Sequence, residues 1–229
     1  MLLVPSVVPS VSGTVLAVCR VHALLPDDGA VGVTAIDKRP VGGPVHVRRL
    51  GLFADVQADR AHHGGEEQAV YAYSQEDADW WAAELGHTVT PGLFGENLRT
   101  QGLEASRAVV GERWRVGTAL LEVTHERAPC ATFARRMGLP RWVKRFTEAN
   151  RVGCYFRVLE TGDLRAGDRI VVEHRPDHGV TVADWFASRT TAPETRGDVS
   201  RRLLDAETAG KLRLSAEVRA RATAALAQA

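Results

Sequence analysis

The stretch "ERWRVGTALLEVTH", Glu112 to His125, holds two β-type runs separated by a glycine turn. β-Branched and aromatic residues in short runs, bounded by glycine, are typical of strands. Five further runs have the same texture: "TVLAVCRV", "PVHVRRLGL", "AVYAY", "GCYFRVLE" and "DRIVVEH". Many short strands with turn signals favour a barrel or a sandwich over a βαβ sheet. Neither GxGxxG nor GxxxxGK[ST] occurs, so no motif indicates a nucleotide-binding loop.

Helical segments interrupt this strand pattern. Ser74, with Asp77 three residues later, resembles a capping box and opens a helix over "QEDADWWAAEL" that stops at Gly86. Beyond Cys130, "ATFARRM" ends at Gly138, and "RWVKRFTEA" follows as a second short helix. The predicted fold class is therefore mainly β with inserted helices (α+β), with a barrel and a sandwich both open at this point.

The character of the sequence changes near residues 175–180. Three amphipathic segments follow, "TVADWFA", "VSRRLLDAE" and "SAEVRARATAALA". They predict a three-helix extension over 178–229, after a mainly β domain over 13–177. The opening, 1–12, is apolar but lacks a basic region and is broken by Pro5 and Pro9. We interpret it as a loose arm and expect neither a signal peptide nor a membrane span.

Charge and cysteine content limit the classes of partner. Lys and Arg number 29 against 28 Asp and Glu, so no overall field attracts nucleic acid or a membrane surface. The three cysteines, Cys19, Cys130 and Cys154, lie far apart without a CxxC pair, which argues against a disulfide framework or a zinc knuckle. A cytoplasmic setting fits best, and the oligomeric state stays open.

Cys130 is the strongest candidate for a nucleophile or metal ligand. It lies in "ERAPCATFARR", between a predicted strand and a predicted helix start, with arginines nearby. Such surroundings favour the thiolate, which attacks electrophiles and binds soft metals. The alternative is a buried, inert thiol, which is the usual state of a cysteine. For Cys19 and Cys154, inside apolar strand runs, that alternative is the prediction.

A local cationic cluster surrounds Cys130 in the sequence. Its members are Arg127, Arg135, Arg136, Arg141, Lys144, Arg145 and Arg151, against the single acid Glu148 between them. Arginines beside helix starts often hold phosphate or another oxyanion. A solvated basic face on two surface helices explains the same pattern equally well.

Two loop segments offer further polar groups. His62 and His63 precede Gly64 and Gly65, where positive φ or a close backbone approach is allowed. Adjacent histidines in an extended chain point to opposite sides, so one metal does not easily take both. Asn97, in "PGLFGENLRT", either orients the polar edge of a ligand or closes an Asx turn.

The order of these pieces resembles the MOSC domain, named for the C-terminal domain of molybdenum-cofactor sulfurase. The resemblance runs over "DKRPVGGPVHVRRLGLFADVQADRAHHGGEEQAVYAYSQEDADWW", "FGENL", "VGERWRVGTALLEVTHERAPC" and "GCYFRVLETGDLRAGDRI", about residues 31–172. The helical tail is similar to that of stand-alone bacterial members of the hydroxylaminopurine-resistance type. One departure is Ala54, where the family often has glycine in Gly-Leu-x-Gly-Asp; if that position needs positive φ, Ala54 strains the turn.

The resemblance implies that the domain over 13–177 is a mixed β-barrel with inserted helices. It also implies that this barrel binds molybdenum cofactor, a phosphate-bearing pterin dithiolene. By position, Cys130 matches the family cysteine that ligates molybdenum or carries sulfur. His63, Gly64, Gly65, Asn97 and Arg127 match further positions that line the site, with Lys38 and Arg135 as additional cofactor contacts. On this basis His63 or Asn97 orients the substrate.

The implied activity is an oxidoreductase that reduces small N-hydroxylated compounds, such as hydroxylaminopurine-type bases, and so detoxifies them. Electrons then come from a separate redox partner, because no iron–sulfur cysteine cluster or flavin fingerprint is visible. The alternative is a non-redox carrier of the cofactor or of Cys130 persulfide sulfur. Pyridoxal phosphate is a weak candidate, since the only possible Schiff-base lysines are Lys38, Lys144 and Lys211.

Overall fold

A computed structural model describes residues 12–58 and 64–227. Its thirteen strands in this part of the chain are β1 (Ser12–Val21), β2 (Leu25–Pro26), β3 (Val33–Thr34), β4 (Lys38–Pro40), β5 (Val45–Arg48), β6 (Gly51–Leu52), β7 (Val70–Ser74), β8 (Leu98–Gln101), β9 (Arg113–Val116), β10 (Ala119–Val123), β11 (Cys154–Glu160), β12 (Gly162–Leu164) and β13 (Arg169–His174). The helices are α1 (Gln75–Leu85), α2 (Ala131–Met137), α3 (Trp142–Ala149), α4 (Val182–Arg189), α5 (Arg196–Thr208) and α6 (Ala216–Ala227). Short 3₁₀ turns occupy Glu66–Gln68, Ala105–Arg107 and Pro193–Thr195.

Seven strands form a closed mixed barrel, as predicted. The order is β13-β9-β10-β11-β7-β8-β1, and the pairing of β1 with β13 closes the ring. Every pairing in the ring is antiparallel except that of β7 with β8, which is parallel. A parallel pair needs a long crossover, and here α1 and the loop before β8 supply it. Trp114 and Phe156 pack inside the barrel with ring centroids 4.9 Å apart.

Helix α1 forms where it was predicted, but its predicted capping box is wrong. Ser74 is the N-cap residue and makes no side-chain cap hydrogen bond. The Asp77 carboxylate instead accepts from Ser106 Oγ at 2.6 Å and from Arg151 Nη1 at 2.7 Å. Because Asp77 is buried, these tertiary donors satisfy it better than the local turn would. The helix ends at Gly86 in the left-handed conformation, as expected.

The C-terminal helices pack on the same core as the barrel. Trp185 of α4, Leu203 of α5 and Val218 of α6 belong to the buried cluster that contains Trp114. Thr181 and Asp184 form a complete capping box at the start of α4. The division at 177/178 stays a prediction, and apart from Ser12, which begins β1, the predicted arm lies outside the described residues.

Candidate active site

A cavity of about 720 Å³ collects most of the predicted site residues. Lys38, Gly64, Asn97, Arg127, Cys130 and Arg135 all contribute to its lining. Its walls come from the β2–β3 hairpin, residues 56–58, the turn before β7, the loop before β8 and the start of α2. The volume lies within the range of roughly 300–1,000 Å³ that is common for small-molecule sites. His62 and His63 lie outside the described residues, so the expectation for His63 stays a prediction.

Cys130 lies at the end of the loop that connects β10 to α2, directly before the helix. Pro129 precedes it, and Cys130 is the N-cap of α2 with extended backbone, half-buried at the cavity wall. Cys19 and Cys154 are fully buried in strands. Burial raises the pKa of the Cys19 thiol to about 12 and that of Cys154 well above its usual range. The predicted burial of Cys19 and Cys154 is thus confirmed, and Cys130 is the more accessible of the three thiols.

Arg127 carries the least satisfied charge in the cavity wall. Its side chain is 7% exposed, and Nη1 has no hydrogen-bond partner among the described residues. The guanidinium carbon lies 3.9 Å from the centroid of the Phe133 ring, a cation–π contact that holds its plane in place. A buried guanidinium with an unused N–H in a cavity wall has a hydrogen-bond donor that a ligand can use.

Other members of the cationic cluster are occupied by carboxylates of the chain. Arg135 and Arg136, on α2, pair with Asp27 at 2.6 Å and Asp37 at 2.8 Å. Lys144 pairs with Glu148 at 3.5 Å, and Arg151 pairs with Asp77 at 2.7 Å. The cluster is therefore largely a set of structural ion pairs. The sequence analysis offered an anion site or a solvated basic face, and neither describes the cluster in full.

Asp27 ties the β2–β3 hairpin to the helix that follows Cys130. Arg135 donates to both carboxylate oxygens, at 2.8 and 2.6 Å, and Thr132 Oγ1 donates at 3.1 Å. The Arg135 guanidinium lowers the pKa of Asp27 to about 2. Arg135 does line the cavity, with Nε and Nη2 bonded to Asp27, and its predicted contact with a cofactor stays a prediction.

Asp55 organises the opposite wall, and the sequence analysis did not identify it. Lys38 Nζ lies 2.6 Å from Asp55 Oδ2, and Asn97 Nδ2 donates to the same oxygen at 2.8 Å. Asn97 Nδ2 also donates to the Cys19 carbonyl at 3.3 Å, and Oδ1 accepts from the Tyr71 amide at 3.1 Å. Both amide hydrogens of Asn97 thus serve the frame of the site.

The positive φ considered for residue 54 is present. Ala54 has φ 60°, which places the following carboxylate of Asp55 toward Lys38 and the amide of Val21. An L-residue in this region is strained by roughly 1–2 kcal/mol. The motif "GLFAD" therefore contained the sequence signal for this wall of the site, in its last residue, Asp55.

The two glycines of "HHGG" both have positive φ, of 95° at Gly64 and 76° at Gly65. A Cβ on Gly64 would meet only the flexible end of the Gln57 side chain, so the φ of 95° is what favours glycine here. The Gly64 amide donates to Gln68 Oε1 at 3.0 Å, and Gln68 Nε2 lies 3.2 Å from His125 Nε2. Gly64 and Gln68 line the cavity, whereas Gly65 starts the 3₁₀ turn behind them.

Two tyrosines give the cavity an aromatic wall. The rings of Tyr71 and Tyr155 lie 5.2 Å apart, and the Tyr71 hydroxyl donates to the Val152 carbonyl at 3.0 Å. Burial raises the pKa of both phenols. Their strand runs, "AVYAY" and "GCYFRVLE", predicted strands without showing which side chains face the cavity. The site thus joins an apolar wall, a thiol and cationic groups.

Of the three lysines considered as Schiff-base candidates, only Lys38 lines the cavity. Lys144 and Lys211 lie in exposed ion pairs, with Glu148 and Asp177, away from the cavity that Lys38 lines. Over residues 12–58 and 64–227, no three His, Cys, Asp or Glu side chains cluster in a way that would hold a metal ion. None of the helices within these ranges is long and apolar enough to span a bilayer.

Comparison with known proteins identifies related chains. The model of the MOSC domain family matches residues 59–171. Uncharacterized protein YflK of Bacillus subtilis is 33% identical over 162 residues, which span 71% of this chain and 72% of YflK. A protein named Reductase from Gibberella moniliformis is 35% identical over 65% of this chain, but this match spans only 28% of that longer protein.

A solved structure extends the likeness to nearly the whole chain. The crystal structure of YiiM from Geobacillus stearothermophilus superposes with a TM-score of 0.74 at 26% identity, covering 93% of this chain and 99% of YiiM. The superposition therefore includes the C-terminal helices as well as the barrel.

Proposed function

Because the chain belongs to the MOSC domain family, we propose that it binds molybdenum cofactor and reduces a small N-hydroxylated compound. The observation that carries the proposal is the meeting of Cys130 and Arg127 in one cavity. A thiol suits molybdenum, and a buried guanidinium with an unused N–H suits the phosphate of the cofactor.

The residues present fit such a group. Cys130 would hold the metal, and Arg127 Nη1, without a partner in the described chain, would donate to an anionic oxygen. Lys38 carries three N–H groups and gives one to Asp55, so it adds a cationic donor on the facing wall. When bound, molybdenum cofactor supplies two-electron oxygen-transfer chemistry.

The reduction of an N–OH group to N–H consumes two electrons and two protons and releases water. The chain's own residues would bind and orient the substrate for it. Tyr71 and Tyr155 would pack against an apolar or aromatic substrate body. Lys38, fixed by Asp55, would orient the polar end. The proposal assigns the electrons to a separate redox protein. A reductase role agrees with the name of the Gibberella moniliformis relative.

The first experiment is elemental analysis of molybdenum per chain, after expression in a host that makes the cofactor and is fed molybdate. We expect near-stoichiometric metal in the wild type and strong loss in Cys130→Ser and Arg127→Met. Arg107→Met is the matched control, because Arg107 is exposed and pairs with Glu104 away from the cavity. A wild type without molybdenum, despite intact folding, would overturn the proposal.

Turnover separates the reductase from a carrier. Loaded protein with a chemical reductant and a hydroxylaminopurine-type base is expected to release the amino base at a rate that Cys130→Ser abolishes. Bound molybdenum without turnover on any N-hydroxylated compound would instead support a carrier of cofactor or sulfur.

Thiol alkylation of the cofactor-free protein tests the site without metal. Cys130 is expected to react far faster than Cys19 and Cys154, which are enclosed and have raised pKa values. A Cys130 as slow as Cys19 in the native state would contradict its assignment to an accessible site.

A further inference from the structure

We infer that the C-terminal helices hold the active-site loops in place through two arginines, Arg189 and Arg213. Both lie beyond residue 171, where the match to the family model ends. Each pairs with a glutamate that directly precedes a cavity residue in the sequence: Glu126 before Arg127, and Glu67 before Gln68. We name this pair of arginines the C-terminal clamp. The inference deepens the proposed function and rests on it only for the role of the cavity.

The first contact joins α4 to the loop that carries Arg127 and Cys130. Arg189, the last residue of α4, forms an ion pair and a short hydrogen bond with Glu126. Both are well enclosed, with side chains 15% and 5% exposed. Arg189 also lies 4.8 Å over the ring of Trp185, which orients it. Burial raises the pKa of Glu126, and the Arg189 charge opposes that rise, so Glu126 depends on a residue of the extension.

The second contact joins the α5–α6 loop to the turn before β7. Arg213 Nη2 lies 3.3 Å from Glu67 Oε1, and Arg157 Nη2 lies 2.9 Å from Glu67 Oε2. Arg157 also donates to the Arg213 carbonyl at 2.6 Å, so β11 is hydrogen-bonded directly to the α5–α6 loop. The Glu67 carbonyl accepts from Thr124 Oγ1 at 2.6 Å, which links this turn to the loop of the first contact.

The two contacts are connected behind the cavity. Gln68 holds the Gly64 amide and reaches His125, whose ring packs 5.6 Å from that of Tyr155. His125 precedes Glu126, so both halves of the clamp act on one hydrogen-bonded unit. A displacement of about 1 Å in such a unit is enough to impair a site. Arg189 and Arg213 are therefore positioning residues that do not touch the cavity themselves.

The test compares Arg189→Met and Arg213→Met with Lys211→Met. Lys211 lies two residues before Arg213 and pairs with the exposed Asp177, so its loss removes an ion pair of the same loop without touching Glu67. Hydrogen exchange of cofactor-free protein is expected to rise at least tenfold across residues 124–130 in Arg189→Met, and across 64–68 in Arg213→Met. The barrel strands β9 and β13 are expected to keep wild-type exchange.

Cofactor loading provides the second readout. Molybdenum per chain is expected to fall at least threefold in both clamp variants, to recover partly in Arg189→Lys, and to stay at wild-type level in Lys211→Met. Arg213 is 61% exposed, so its variant is expected to fold even if Arg189→Met does not.

Wild-type exchange in both loops, or a Lys211→Met variant that loosens them equally, would overturn the clamp. The proposed function fails separately: a wild type that takes up no molybdenum would remove the cofactor, whereas the exchange data from cofactor-free protein would still decide the clamp.

Discussion

Two buried arginines, Arg99 in β8 and Arg127 beside the cavity, are used in opposite ways. Arg99 is fully buried and uses all five of its N–H groups: two donate to Glu96, one to Gln75, and one each to the carbonyls of Val89 and Thr90. Arg127 is nearly as buried, but its Nη1 finds no partner among the described residues. A fully satisfied network stabilises and fixes the fold.

The difference indicates where the fold leaves binding capacity unused. A buried charge without its hydrogen bonds destabilises a protein, so it persists where a ligand completes it. Burial alone therefore does not separate a structural arginine from a functional one. Unused hydrogen-bond capacity in the wall of the active-site cavity does, since Arg157 is also buried and has nitrogens without hydrogen-bond partners in the described chain but does not line this cavity.

The largest effect is expected from removing the satisfied arginine. Arg99→Met leaves the Glu96 carboxylate buried without its ion pair, which is expected to lower the free energy of unfolding by about 3–5 kcal/mol. Urea unfolding followed by tryptophan fluorescence measures it. A loss below about 1 kcal/mol would show that the Arg99 network contributes little beyond desolvation, and the comparison would fail.

The next effect concerns His125, whose Nδ1 also lacks a partner in the described chain. Burial lowers its pKa to about 4 from a usual value of 6.5. Between these values the unfolded chain binds a proton that the folded chain does not. The free energy of unfolding is therefore expected to fall as the pH drops through this window, by on the order of 3 kcal/mol at most.

The slope ends below about pH 4, where both states are protonated. Urea unfolding at a series of pH values is expected to show the full slope in the wild type and in His174→Gln, where the replaced histidine is exposed. A shallower slope is expected in His125→Gln, where His178, whose pKa burial also lowers, still contributes. An unchanged slope in His125→Gln would assign it to another group.

A small change in stability is expected for Arg127→Met. The variant loses the cation–π contact with Phe133 but no longer buries an incomplete guanidinium, so the free energy of unfolding is expected to stay within about 1 kcal/mol of the wild type. The urea assay used for Arg99→Met measures it. A loss as large as that of Arg99→Met would make both arginines structural.

The smallest effect is expected at Ala54. Ala54→Gly relieves the strain of φ 60° but adds backbone freedom to the unfolded chain, for a net gain of about 0.5 kcal/mol. Ala83→Gly, on the exposed face of α1, is the control and is expected to lose about 1 kcal/mol. Thermal unfolding of both variants provides the measurement. A destabilised Ala54→Gly would mean that the Ala54 conformation carries no net strain.

Sequence patterns predicted the elements that depend on neighbouring residues. Local composition predicted the strand runs, the helix ends at Gly86 and Gly138, and the place of Cys130 at a helix start. The barrel was predicted as one of two architectures, and the family resemblance selected it. The resemblance also supplied the grouping of Asn97, Arg127 and Cys130, which no local pattern specifies.

The missed features depend on partners far apart in the chain. Asp55 meets Asn97 across 42 residues, and Asp27 meets Arg135 across 108. Local pattern also misassigned Asp77, which turns from its own helix start toward Arg151, 74 residues away. In each case a charged side chain is satisfied by a partner that only the folded barrel brings near.

The seam between β1 and β13 affects how this protein is made. Ser12 pairs with Val171, so synthesis must pass residue 171 before the ring can close. Until then β1 and β9, the two strands that pair with β13, each present an unpaired edge, which invites association with other nascent chains. Contacts this distant in sequence also form slowly. We therefore expect the chain to be most prone to association in the interval before β13 emerges.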